Sequence, residues 1–145
     1  METTKLAETD AEILACFPVL RQLHEYLIED TFVTQVRRLE SSGYRLLYLS
    51  SFGVVQSVAG FHLGESFAWR KYLYVDDLVT DGVSRSNGYG AKLIEWLASY
   101  AKANACEQLH LDTRVTRYAT HKFYLNQGLF IGGYHFLVSL NEYAT

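Results

Sequence analysis

Residues 79–105 read VTDGVSRSNGYGAKLIEWLASYAKANA: a strand-like segment, a turn holding Arg85, Gly88 and Gly90, and then an amphipathic helix. Leu93, Ile94, Leu97, Ala98 and Ala101 fall on one helical face, with Lys92, Glu95, Ser99 and Lys102 opposite. A glycine-rich turn that feeds a helix suits an anion, because the first helical N–H groups have no internal acceptor. Two familiar phosphate cradles are excluded by spacing. A dinucleotide fingerprint needs a third glycine where Leu93 stands, and the GxxxxGK[ST] loop is absent. What remains is R-x-x-G-x-G from Arg85 to Gly90, followed by Ala91. Gly88 and Gly90 lack Cβ atoms, so backbone donors along Ser86, Asn87, Gly88, Tyr89, Gly90 and Ala91 can approach a pyrophosphate closely. Arg85 adds a charged contact. The same residues also serve a plain strand-to-helix turn.

Working outward, Thr3–Ala7 reads as a short first strand. Thr9 and Glu12 have capping-box spacing ahead of ILACFPVLRQL, a helix expected to be irregular near Pro18. A second helix starts at Asp30, carries Phe32, Val33, Val36 and Leu39, and stops at Gly43. YRLLYLSS, VVQSVAGFHL and WRKYLYVDDLVT then read as an antiparallel meander. After the glycine turn and its helix come a strand in QLHLDT, a short helix around ATHKFYLNQG and closing strands in LFIGGYHFLVSL. The expected architecture is one α/β domain over residues 1–145, with a mixed, mostly antiparallel central sheet flanked by helices.

Composition narrows the function classes. A net charge of −3 argues against nucleic acid as the default partner. Two cysteines without a CxxC suggest no disulfide framework, and no apolar run has the length of a membrane span or a signal core. A cytoplasmic protein without membrane or nucleic-acid partners is expected. His110 and Asp112 share a strand face, but no further ligands can be placed, so no metal is expected. Cys106 beside His110 reads as a buried thiol and not as a nucleophilic pair.

Three pieces in order carry a resemblance. The turn from Arg85 to Gly90 resembles the Q/R-x-x-G-x-G/A segment of the GNAT superfamily of N-acetyltransferases. YVDDLVTDGVS resembles that family's fourth strand, and THKFYLNQGL its A-x-x-F-Y-x-x-x-G-F segment, with Phe123, Tyr124 and Gly128 in register. Thr120 and Leu129 replace the commoner Ala and Phe. Arg117 stands where an Asn often meets the cofactor, so that role is not carried over.

The resemblance implies acetyl-CoA as cosubstrate, its pyrophosphate on residues 85–91, and direct transfer to an amine acceptor, a small molecule or a protein. A lysine-like ammonium with a pKa near ~10.4 must first lose a proton, at a cost of roughly 4–5 kcal/mol at pH 7. By register with the family Asp76 is the first candidate for the base and Asp77 the second; a regular strand would put one on each face. Tyr124 resembles the family's proton donor to the leaving thiolate. Leu78, Val79 and Thr80 occupy the segment where relatives bulge the strand, so that backbone groups polarise the thioester and pair with pantetheine. Tyr26, Glu29 and Asp30 lie where relatives contact the acceptor, although a solvated helix end explains them equally well. Tyr44, Tyr48, Tyr72 and Tyr74 read as packing. The resemblance also allows a homodimer through the terminal strands. The competing readings are a non-catalytic module that binds acyl-CoA as a signal, and a nucleotide-binding domain.

Overall fold

The apolar residues of the central strands alternate between the two sides of one sheet, and each side is covered by its own helices. The computed structural model describes residues 1–85, 87–141 and 143 of the chain. It resolves into two compact units, Met1–Leu111 and Asp112–Thr145. In the first unit β1 (Glu2–Leu6) leads to three helices, α1 (Asp10–Ala15), α2 (Phe17–Leu23) and α3 (Glu29–Glu40). Then follow β2 (Arg45–Ser51), β3 (Val54–Ser66), β4 (Arg70–Thr80), α4 (Tyr89–Ala103) and β5 (Gln108–Leu111). The sheet order is β1-β2-β3-β4-β5. All pairings are antiparallel except β4–β5, which is parallel across the α4 crossover. This is the mixed, mostly antiparallel sheet the sequence implied.

Strand parity assigns the two faces. Leu46, Tyr48 and Val58 pack with Ile13, Val19, Leu20, Phe32 and Val36 under α1–α3. Leu47, Leu49, Ala59 and Phe61 pack with Leu93, Leu97 and Ala101 of α4. Phe61 is fully buried, with its ring 5.4 Å from Tyr100 in an edge-to-face contact. Burying a side chain of that size is worth about 1.5–3 kcal/mol.

The irregularity expected near Pro18 is a full break. Pro18 sits at the start of α2, where its missing N–H costs nothing, and its ring cannot follow a continuous helix. Cys16 serves both helices, closing α1 and opening α2. The β2–β3 hairpin turns on Phe52 and Gly53, with φ of 51° and 80°, as a two-residue primed turn requires.

The second unit contains α5 (Tyr118–Asn126), closed by Gly128 at φ 91°. The strands expected in LFIGGYHFLVSL do not form: residues 129–139 carry no regular element, and Phe130, Tyr134, Phe136 and Leu137 are exposed. A strand exists only against a partner ladder, and the adjacent Gly132 and Gly133 weaken the segment that would have to offer one.

The capping box fixes the entry to α1. Thr9 Oγ1 accepts from the Glu12 N–H at 3.1 Å, and Glu12 Oε1 accepts from the Thr9 and Glu8 N–H groups at 3.0 and 2.9 Å. Lys5 Nζ donates to Glu12 Oε2 at 2.5 Å. The Lys5 hydrogen bond first, then the two backbone donors, hold the Glu12 carboxyl down at about 2, against an ordinary 4.5. The folded state therefore binds this proton more weakly than the unfolded chain does. Its stabilisation is present above pH 4.5 and is lost as pH falls toward 2. Thr9→Ala is expected to cost roughly 1 kcal/mol, about 2–4 °C in melting temperature. Glu12→Gln should flatten the fall in melting temperature across that acid window, measured by circular dichroism at successive pH values.

Candidate active site

The strand that precedes the glycine turn contains one residue more than its partner. Across β3 and β4, Gly60 pairs with Asp77 and Phe61 with Val75, so Asp76 is the extra residue of a β-bulge. Burial records the consequence. Leu73 and Val75 pack on the α4 side, whereas Val79 packs on the α1–α3 side. The parity of β4 thus reverses between them. The expectation of one aspartate on each face is corrected here: Asp76 and Asp77 both point to the face of Gly60 and His62. Asp76 Oδ2 lies 2.8 Å from His62 Nδ1, and Asp77 reaches residues of the helical layer on that same side.

Asp77 is held by two side chains the sequence did not single out for chemistry. His24, at the end of α2, places Nε2 2.5 Å from Asp77 Oδ1. Tyr44 donates its hydroxyl to Asp77 Oδ2 at 2.7 Å. Burial first, and then the Asp77 charge, push the Tyr44 phenol well above its ordinary range, so it stays a donor. The Asp77 side chain is 14% exposed, against 34% for Asp76. Gly60 makes this possible. A Cβ there would fall 1.8 Å from Tyr44 Oη and 2.7 Å from Asp77 Oδ2. His24 is 53 positions from Asp77, so no local spacing announces the pair.

Beyond the bulge β4 continues to Thr80, but β5 pairs only with Tyr72–Val75. Among the described residues Leu78–Thr80 pairs in the sheet with β3 and not with β5, and a strand without a second neighbour turns alternate backbone groups outward. Leu78, Val79 and Thr80 lie in this stretch, paired with Ala59, Val58 and Ser57. The turn that follows is pinned to α2: Gln22 donates to Asp81 Oδ1 at 2.7 Å and accepts from the Gly82 N–H at 2.9 Å. Gly88 caps α4 in the left-handed region at φ 75°, with open space where a Cβ would be. The N–H groups of Tyr89, Gly90 and Ala91 form the first turn of α4, where helix geometry supplies no acceptor. Arg85, Asn87 and Gly88 are exposed, and Ser86 lies outside the described residues.

In the second unit Tyr124 is half-buried on α5. Burial pushes its phenol up, Arg117 opposes that, and Asp112 adds to it. His121 Nε2 lies 2.8 Å from the Arg114 carbonyl oxygen. Tyr26 is 73% exposed, with its ring 6.0 Å from His24, while Glu29 and Asp30 are exposed in the first turn of α3. Among the described residues no three His, Cys, Asp or Glu side chains converge as a metal site, and no helix is long and apolar enough to cross a membrane.

Residues 8–129 match the acetyltransferase (GNAT) family. Among individual proteins, the chain is 25% identical over 122 residues to the uncharacterized N-acetyltransferase YhdJ of Bacillus subtilis (strain 168), spanning 83% of this chain and 86% of that protein. Its fold superposes with a TM-score of 0.83 on a transcriptional regulator from Bacillus halodurans C-125, 15% identical, covering 97% of this chain and all of that one. The aminoglycoside N-acetyltransferase AAC(6')-Iy, solved in complex with CoA, also gives a TM-score of 0.83 at 12% identity, covering 96% and 94% of the two chains.

Gly60→Ala is expected to drive the Tyr44 hydroxyl off Asp77 and cost about 1–3 kcal/mol, because a buried carboxylate loses a donor. The same substitution in a Tyr44→Phe background should cost less, since that donor is already gone. Urea unfolding of the two single variants and the double variant measures this; strictly additive losses would refute the linkage.

Proposed function

The chain belongs to the acetyltransferase (GNAT) family, and from that membership and the shape of β4 we propose that it transfers an acetyl group from acetyl-CoA directly to a primary amine of a small molecule or protein. The observation that carries the reading is the bulged β4: its edge at Asp76–Thr80 lacks a β5 partner, and it leads into a helix whose N-cap, Gly88, offers no side-chain cap. The outward backbone groups of Leu78, Val79 and Thr80 suit an amide-bearing pantetheine arm. The cradle of Arg85, Ser86, Asn87, Gly88, Tyr89, Gly90 and Ala91 suits a pyrophosphate. Acetyl-CoA supplies the thioester; the remaining steps belong to residues of the chain.

The acceptor ammonium must lose a proton before it attacks. With both oxygens of Asp77 already accepting, we assign that proton to His24, oriented by Asp77 as in other Asp–His pairs. A Nε2–H donated to Asp77 leaves the lone pair on Nδ1 to accept a proton. Asp76 then binds the ammonium. An outward N–H of the bulged segment donates to the carbonyl oxygen as negative charge develops. Tyr124, with its phenol kept protonated by burial, donates toward the departing thiolate. Nitrogen loses two protons in all: the first passes from the ammonium to His24 and on to solvent, and the second, lost as the nitrogen–carbon bond forms and the carbon–sulfur bond breaks, balances the one gained by sulfur. Both cysteines are free, in keeping with a cytoplasmic setting.

One fold neighbour is described as a transcriptional regulator, so an acyl-CoA-binding module without transfer is the competing reading. Turnover with any amine removes it. Calorimetric titration with acetyl-CoA, CoA, NADH and ATP should show binding of the two CoA compounds only. Gly88→Val should abolish it, since a β-branched residue strains at φ 75° and fills the cradle. No CoA binding by the wild type would end the proposal.

For the chemical step, His24→Gln and Asp77→Asn are each expected to lower kcat about a hundredfold and to alter the acid limb of the pH–rate profile. Asp76→Asn should act mainly on KM. His24→Gln with full rate and an unchanged profile would return the base to Asp76.

A further inference from the structure

From the bulge toward the β3–β4 turn, the face that carries Asp76 and Asp77 is paved with rings. His62, Tyr74 and His110 are direct cross-strand neighbours on β3, β4 and β5. Their planes are nearly parallel, at 18° and 5°, with centroids 5.8 and 6.4 Å apart. Tyr72 breaks the pattern. It pairs with Gly64, and a Cβ on that glycine would lie 2.5 Å from Tyr72 Cζ and Oη, so the ring lies across Gly64. Around it Trp69, His110 and His62 stand at 88°, 78° and 78°, with centroids 5.1, 6.1 and 6.3 Å away. All four are partly exposed.

Trp69 and His110 stack on each other with centroids 3.7 Å apart and make one wall; a Tyr72 floor bounded by that wall and by His62 presents a π-face over which an ammonium binds within about 6 Å of the ring centroid. Burial lowers the His110 pKa, which keeps that wall uncharged near neutrality. Charge points the same way. Between Gly60 and Gly64 on β3 and Tyr72 and Asp77 on β4, this face carries two carboxylates and no lysine or arginine. The parallel rings between cage and carboxylates stand closer together than the roughly 7 Å that two stacking contacts need, so no planar body inserts there.

Resting on the transfer activity proposed above, we propose that the acceptor is a linear aliphatic diamine or longer polyamine. Its far ammonium sits over Tyr72 between Trp69 and His62, while the amine to be acetylated lies at Asp76 and Asp77. The four residue-to-residue steps from Tyr72 to Asp76 set the separation of the two charges at roughly 10–13 Å. An eight-carbon diamine approaches that span; a four-carbon one falls short.

The test compares hexylamine, 1,4-diaminobutane and 1,8-diaminooctane as acceptors for wild type, Tyr72→Leu and Gly64→Ala. Gly64→Ala meets only the far end of the Tyr72 ring, so it tips the ring while the strand stays, and an unchanged melting temperature verifies that. The kcat/KM ratio of the octane diamine to hexylamine should exceed about ten in the wild type and fall roughly tenfold in both variants. In parallel, calorimetry without acetyl-CoA measures binding of bis(trimethylammonium)octane, which cannot be acetylated. Its Kd should weaken about tenfold in both variants. A wild-type ratio near one, or a ratio and probe affinity untouched by Tyr72→Leu, would overturn the cage. Probe binding that depends on Tyr72, with no amine turned over, would uphold the cation site and sink the transfer reading alone.

Discussion

The single extra residue in β4 is the constraint from which the site follows. LYVDDLV, residues 73–79, has no acceptable regular register. In an unbroken strand Asp77 would share the face of Leu73 and Val75 and point into the apolar layer under α4. Burying an unpaired carboxylate there costs far more than disturbing one or two ladder hydrogen bonds. Inserting Asp76 as a bulge reverses parity once. Val75 and the later Leu78 then both meet the α4 layer, while Asp76, Asp77 and Val79 turn to the other side. Apolar patterning on both flanks therefore forces two carboxylates onto one face, and the local break in pairing comes with them.

That face is possible only because β3 thins itself at matching positions. Gly60, His62 and Gly64 alternate on one side of the strand. Each glycine is crossed by a tyrosine: Tyr44 over Gly60, Tyr72 over Gly64. The two tyrosines end differently. Tyr44 is buried and spends its hydroxyl on Asp77, whereas Tyr72 leaves the helical layer and remains partly exposed. Where α1–α3 cover the sheet, the face is a core with one charged network in it. Where they do not, the same alternation of small and large residues leaves rings open to solvent.

Much of the fold was legible because it depends on local periods. The amphipathic stripe of Tyr89–Ala103, the Thr9–Glu12 capping box and the aromatic, β-branched meander each occupy a short window. The strands expected in LFIGGYHFLVSL do not form for a related reason: an apolar pattern states what a strand would bury but not whether a partner exists. The sequence marks Asp76 and Asp77 as candidates but not their shared face, because a bulge is a property of two strands and one sequence window shows only one. His24 and Tyr44 stand 53 and 33 positions from the carboxylate they hold, a distance that only the folded sheet closes.

This division has a physical cause. A cradle for a pyrophosphate is made of backbone N–H groups, so it constrains residue type wherever a side chain would obstruct or the chain must turn left-handed. Those demands fall on neighbouring positions, and they leave a motif: Gly88 at φ 75°, Gly90 two residues later, a helix immediately after. The surface proposed to select the amine is made of side chains gathered from β3, β4, β5 and the end of α2, with positions set by cross-strand register. Register has no fixed spacing in sequence, and any of several residue types serves at each place. The part of the site proposed to hold the common cosubstrate is therefore written locally, while the part proposed to choose the acceptor is visible only once the strands are paired.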